Sequence, residues 1–217
     1  MPVAIVAPIF ALICWMIIPM VAHAECEQSV TPAPREDPHF TEITQRKMEI
    51  LQRLGTAQKL FIGDSLVQRW PADLLPAGTF NFGVGGDLTE NVLWRLGHTK
   101  LPPAQQTVVL IGTNNLQRDS APCVVAGIRA VIDAIRAQIP TTRIYLVGLL
   151  PRLRAPMPIK SKIEAVNREI AAGSTYSYID LSAPVAGRPD LYLPDGVHLN
   201  PAGYAVVAPI FADGLKR

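Results

Sequence analysis

Residues 60–70 read LFIGDSLVQRW, an apolar run that stops at a glycine and is followed at once by an aspartate and a serine. Leu60, Phe61 and Ile62 have the composition of the end of a short interior strand, and Gly63 is the usual punctuation where such a strand turns. In the plainest reading, Asp64 or Ser65 caps the first turn of a helix, a position both residue types favour. The alternative is that a reactive side chain has been set at the carboxyl end of a strand, where open parallel sheets collect their ligands. The rest of the chain decides between the two.

Strands are expected at 59–63, 79–84, 107–112, 143–149 and 176–181. They alternate with helices at 41–54, 88–97, 123–138 and 159–172, a helix or turn at 65–75, and a final helix from Pro201. TVVLIG (107–112) and RIYLVGLL (143–150) are apolar almost without alternation, as strands covered on both faces are. Helix 123–138 sets Val124, Ile128, Val131, Ile132 and Ile135 on one stripe, the pattern of a helix lying on a sheet. Strands and helices alternating at this spacing argue an α/β fold: a parallel sheet with helices on both sides. The segments GDS (63–65), GVGGD (83–87), GTNN (112–115) and DGVH (195–198) follow strands and should meet at one edge of that sheet.

With 217 residues, 49% of them hydrophobic and 18% charged, the chain has the size and core material of one domain. A net charge of +2 and the lack of a long basic run exclude a nucleic-acid partner. Residues 1–22 carry no charged side chain and run into Ala22-His23-Ala24, an A-x-A cleavage site, with Pro19 placed to end an apolar helix before it. We read 1–24 as a signal peptide, leaving an exported protein with no stable membrane span once it is removed; the alternative is a retained, uncleaved N-terminal helix that anchors the chain. Neither Cys14 nor Cys26 follows the small residue a lipidation site needs. Residues 25–40, with three prolines and little apolar content, are expected as a Pro-rich polar linker that tethers or wraps, and 41–217 as the folded domain. Cleavage after Ala24 leaves Cys26 and Cys123; a buried free thiol at Cys123 is expected, with a disulfide between the two as the alternative.

A nucleophilic serine needs a base, the base an orienting partner, and the developing oxyanion preorganised donors. Ser65 can supply the first. Asp195 and His198, three residues apart, can approach one another within a single turn while the imidazole is offered to Ser65. Gly86, whose backbone N–H a ligand can approach closely, and the Asn114 amide fit the oxyanion role. Each also has a plainer reading: His198 as a surface histidine, Asp195 as the turn residue of Pro-Asp-Gly, Gly85 and Gly86 as a tight turn, and Asn114 as an Asx turn. GVGGD lacks both the dinucleotide and the Walker patterns, and the four histidines are scattered, so neither cofactor nor metal is expected. Leu93 and Trp94 are expected in the core.

The ordered set GDS, GGD, GTNN and DGVH resembles the four blocks of the SGNH (GDSL) hydrolases. FIGDSLVQ, NFGVGGDLTENVLWRL, VVLIGTNN, VGLLPR and HLNPAGY look most like the subgroup of platelet-activating-factor acetylhydrolase catalytic subunits, over about residues 59–207. The resemblance implies a three-layer α/β/α sandwich with a flavodoxin-like five-stranded parallel sheet in the order 2-1-3-4-5. It also implies Ser65 as nucleophile, His198 as base, Asp195 as its orienter, and the Ser65 N–H, Gly86 and Asn114 as oxyanion hole. The expected function is an exported serine esterase for short acyl groups, acting on a small-molecule, lipid or glycan ester. The alternatives are an O-acyltransferase or acetyl esterase acting on glycans, and a binding module without turnover. The leader and the short stretch between Ser65 and Gly86 depart from the subgroup, so its substrate is not carried over.

Overall fold

A computed structural model of the chain describes residues 25–216. The signal peptide expected over 1–24 lies outside them. In chain order the helices are α1 (Glu27–Val30), α2 (Pro38–Arg53), α3 (Ser65–Gln68), α4 (Thr89–Gly97), α5 (Ala121–Gln138), α6 (Met157–Ala171) and α7 (Pro201–Gly214). The strands are β1 (Ala57–Gly63), β2 (Thr79–Gly83), β3 (Ala104–Leu110), β4 (Arg143–Val147) and β5 (Ser177–Ile179). All pairings among these strands are parallel, in the order β2-β1-β3-β4-β5, the doubly wound arrangement expected.

The carboxyl-terminal parts of β1, β3 and β4 are apolar without alternation because successive side chains enter two different cores. Leu60, Ile62, Val109, Ile111 and Leu146 face one way, against Val92, Leu96, Val124, Ile128, Val166 and Ile170 of α4, α5 and α6. Phe61, Val108, Leu110, Tyr145 and Val147 face the other, against Leu66 and Val67 of α3, Trp70, and Val207 and Phe211 of α7. Each fully buried side chain of this size contributes about 1.5–3 kcal/mol, so both layers are strongly specified. The stripe read on 123–138 is buried as expected. Among the described residues, no helix is long and apolar enough to cross a membrane.

Three expectations are corrected. The folded domain does not begin at 41: of the two readings of 25–40, tether and wrapped arm, the structure shows the arm, because its polar groups find partners on the domain. Ser29 is buried and donates to Asp119 Oδ2 at 2.9 Å, while its carbonyl accepts from Thr89 Oγ1 at 2.8 Å. Ala33 N–H donates to Glu90 O at 3.1 Å, and α2 begins at Pro38, capped by Asp37, rather than near Thr41. Cys123 is not a free thiol: the arm returns Cys26 to it, and the two form a disulfide with Cα atoms 4.7 Å apart. Trp94 is not in the core. It is half-buried and stacks on His98, while the neighbouring Arg95 turns inward, 1% exposed, to meet a buried carboxylate.

Candidate active site

The register brings the motif segments to one edge. Gly63 pairs with both Gly83 and Leu110, and Val147 with Ile179, so the chain leaves the strands at nearly one level. After β1, α3 starts at Ser65 with Asp64 as its N-cap, the Asp64 Oδ1 accepting from Leu66 N–H at 2.9 Å. The capping role therefore falls to Asp64, and the Ser65 hydroxyl is left for another partner.

That partner comes from the far end of the chain. Tyr192 and Leu199 form an antiparallel bridge, Leu193 N–H donates to His198 O at 2.8 Å, and Leu153 N–H donates to Gly196 O at 2.8 Å. These bonds fix the 193–198 loop. Within it Asp195 Oδ1 accepts from Val197 N–H (2.8 Å) and His198 N–H (2.9 Å), and Oδ2 lies 2.7 Å from His198 Nδ1. His198 Nε2 is 2.7 Å from Ser65 Oγ. A carboxylate beside Nδ1 requires the proton there, so Nε2 is the lone-pair nitrogen that accepts the Ser65 O–H. Partial desolvation opposes the Asp195 charge, but the donors from His198 and Val197 outweigh it and hold the carboxyl at about 2. Asn200 then caps α7, accepting from Gly203 N–H at 3.0 Å, and the Tyr204 hydroxyl donates to Leu66 O at 2.8 Å, tying α7 to the helix that carries Ser65.

The oxyanion candidates sit on two other loops. Gly86 has φ +72°, a left-handed conformation that suits glycine. Its neighbours are held on both sides: Gly85 N–H donates to Gln68 Oε1 of α3, and Asp87 O accepts from Asn114 Nδ2 at 2.9 Å. Asn114 thus spends one amide N–H on the glycine loop and, among the described residues, keeps the other. Asn115, the second Asn of GTNN, is fully buried and satisfied by Thr89 N–H and Asp119, a structural role.

Several residues that pattern reading passed over support these loops. Arg95 donates from Nε to Asp87 Oδ2 at 2.9 Å and from Nη1 to Phe82 O at 2.9 Å, tying the glycine loop to the end of β2. A charged side chain three residues after Val92 on an apolar helix stripe was the signal for it. Arg152, from VGLLPR, donates to Thr113 O at 2.5 Å and thereby anchors the residue before Asn114. Asp64 is fully buried, its Oδ2 without a partner among the described residues; burial pushes its carboxyl up to about 7, against the Leu66 N–H bond, with the nearby Asp87 charge adding to the rise and Arg152 opposing it.

Residues 61–206 match the GDSL-like Lipase/Acylhydrolase family. The chain is 34% identical over 166 residues to the platelet-activating factor acetylhydrolase IB subunit alpha1 of Bos taurus, covering 68% of this chain and 70% of that protein. It is 38% identical over 117 residues to the alpha2 subunit of Rattus norvegicus, covering 50% of this chain and 51% of that protein. A solved structure from Streptococcus pneumonia overlays with a TM-score of 0.70, covering 93% of this chain and 99% of that one at 20% identity. Axe2, an acetylxylan esterase from Geobacillus stearothermophilus, overlays with a TM-score of 0.58, covering 76% and 97% at 17% identity. Identities this low speak to the fold alone; the match over 61–206 reaches further, and by it the chain belongs to the GDSL-like lipase/acylhydrolase family of serine ester hydrolases.

Proposed function

We propose that the chain is an exported carboxylic ester hydrolase for short, acetyl-type acyl groups, working through an acyl-enzyme on Ser65. The observation that carries the reading is the unbroken relay from Ser65 Oγ to His198 Nε2 at 2.7 Å and from His198 Nδ1 to Asp195 Oδ2 at 2.7 Å. Ser65 Oγ attacks the ester carbonyl as its proton passes to Nε2, and the ionised Asp195 holds the ring and balances the imidazolium. Negative charge gathers on the carbonyl oxygen, facing the Ser65 and Gly86 N–H groups and the unspent Asn114 amide hydrogen. Collapse of the tetrahedral intermediate expels the alcohol, which takes the proton from His198. Water, deprotonated by the same nitrogen, then adds to the acyl-Ser65, and the acid leaves as the Ser65 hydroxyl is restored.

The acetyl preference is supported by what the related names share: a platelet-activating factor acetylhydrolase and an acetylxylan esterase both act on acetyl esters, though on different molecules. Export is supported by the uncharged residues 1–22 before Ala22-His23-Ala24 and by the Cys26–Cys123 disulfide, which an oxidising compartment sustains. The test is a series of p-nitrophenyl esters from acetyl to long-chain, with and without a sugar acceptor, together with N-terminal sequencing of protein recovered outside the cytoplasm. Acetyl turnover that falls as the chain lengthens, and a first residue of Glu25, are expected. A long-chain optimum, acyl transfer outrunning hydrolysis, or retained Met1 would overturn the corresponding part.

A further inference from the structure

The two glycines of the GVGGD loop are covered by a pair of side chains from the amino-terminal arm. A Cβ placed on Gly85 would lie 2.9 Å from Phe40 Cε1, and one on Gly86 would lie 2.8 Å from Arg35 Nη1. The Arg35 guanidinium in turn lies over the Phe40 ring, 4.3 Å from its centroid. Standard backbone geometry then puts Arg35 Nη1 within about 5 Å of the Gly86 amide nitrogen. A side chain at Gly85 would press on the Phe40 ring, and one at Gly86 would displace the Arg35 guanidinium from its place against the loop.

The arm is held on both sides of Arg35. Before it stand the Cys26–Cys123 disulfide, the buried Ser29, and Ala33 O accepting from Asn91 Nδ2 at 3.0 Å. After it, Asp37 caps α2 and Thr41 Oγ1 donates to Arg35 O at 3.1 Å. Neighbouring cations have spent their donors. Lys47 Nζ donates to Gly83 O at 2.6 Å and Asn81 O at 3.0 Å, and Arg95 is taken by Asp87 and Phe82 O. The Arg35 guanidinium, by contrast, donates no hydrogen bond and forms no ion pair among the described residues. Asp87, which it attracts at longer range, already has Arg95 as its partner. A cation pinned on an aromatic face, its donors unspent and laid against one backbone position, provides a fixed field at that position.

We propose that Arg35 is a positioning residue for the ester reaction: its charge, held against the Gly86 backbone, strengthens the oxyanion site that the Gly86 amide helps to form. This rests on the reading of Gly86 as an oxyanion donor given above. The oxyanion is a charge that every ester substrate develops, so the role requires no particular substituent on the substrate. The attraction grows only as the carbonyl oxygen becomes negative, so it acts on kcat and leaves KM nearly alone.

The experiment compares wild type, Arg35→Met and Arg35→Lys on p-nitrophenyl acetate. Methionine keeps an unbranched stem over Phe40 without the charge; lysine returns the charge without the guanidinium plane. Arg35→Met should lower kcat roughly tenfold, about 1.4 kcal/mol, with KM and melting temperature little changed, and Arg35→Lys should recover most of the loss. Raising ionic strength to about 0.5 M should bring the wild-type kcat toward that of Arg35→Met while the variant stays flat, since added salt screens the field. An unchanged kcat in Arg35→Met, or a loss that lysine does not rescue and that travels with a lower melting temperature, overturns the proposal. A wild type that neither turns over esters nor reacts with a fluorophosphonate defeats the site reading itself, whereas an active wild type equalled by Arg35→Met defeats the Arg35 role alone.

Discussion

Replacing both Cys26 and Cys123 by serine removes a cross-link between residues 97 apart in sequence. In the chain-entropy description, a closed loop of that length withholds about 16 cal/mol/K from the unfolded ensemble, about 4.7 kcal/mol at 25 °C. The native contacts of the arm are left in place: Ser29 still meets Asp119 and Thr89, and Ala33 still meets Glu90 and Asn91. The cost therefore falls on the unfolded state, and the folded arm should stay docked. For a chain of this size a loss of 1 kcal/mol lowers the melting temperature by about 2–4 °C, so the double variant should melt on the order of 10 °C lower. Thermal unfolding followed by circular dichroism measures this, with wild type in a reductant as a parallel arm and thiol alkylation with mass spectrometry to count free cysteines. A difference under about 2 °C, against the several kcal/mol expected, would refute the reasoning. Two alkylatable thiols in wild type recovered from an oxidising compartment would refute it more simply.

Asn114→Ala should lower kcat by about 10²–10³ with KM little altered, because the lost amide hydrogen matters only once the oxyanion forms; a fall in melting temperature with unchanged kcat would reduce Asn114 to a strut for Asp87. Asp195→Asn should cost roughly 10⁴ in kcat, since the imidazole loses the acceptor that keeps its proton on Nδ1, and a loss below about tenfold would contradict the relay. Asp64 gives a pH signature. Its folded value of about 7 lies above the unfolded carboxylate value, so between the two the native state holds a proton that the unfolded chain has released, and stability falls as pH rises through that window. The fully buried group should make the protein less stable at pH 8 than at pH 4 by up to about 4 kcal/mol on its account. Asp64→Asn keeps an acceptor for Leu66 N–H and should remove most of that slope in urea titrations at the two pH values; an unchanged slope would place the carboxylate in contact with solvent.

What could be read from sequence follows the range of the interactions. Strands such as TVVLIG were legible because burial on both faces removes polar residues from the run, and the stripe on 123–138 because a helix meets the sheet along one side. β5 extends only over Ser177–Ile179, shorter than the 176–181 run, because Asp180 turns back to cap its own loop, accepting from Ser182 N–H at 2.8 Å. Ser65, Asp195 and His198 were legible as candidates through the local spacing of GDS and DGVH, and the fold brings them within hydrogen-bond distance across 133 residues of sequence. The pairing of Cys26 with Cys123 and the meeting of Arg35 and Phe40 with Gly85 and Gly86 have no periodicity to betray them. The first joins a proline-rich segment to the start of α5 and the second joins it to the glycine loop, through contacts that only the folded chain creates. Trp94 missed the core position expected of it and the neighbouring Arg95 turned inward, because a buried Asp87 carboxylate, itself invisible in hydropathy, needs the guanidinium more than the core needs the indole.

The central claim is that Ser65 is an activated nucleophile, and reaction with a fluorophosphonate tests it most directly, because only a serine whose proton has a base to go to reacts quickly. Peptide mass spectrometry of the treated protein should find the phosphonyl group on Ser65, and Ser65→Ala, with an unchanged circular dichroism spectrum, should remain unlabelled. A folded wild type that takes up no label, or a Ser65→Ala protein that takes up as much as wild type, would contradict the account.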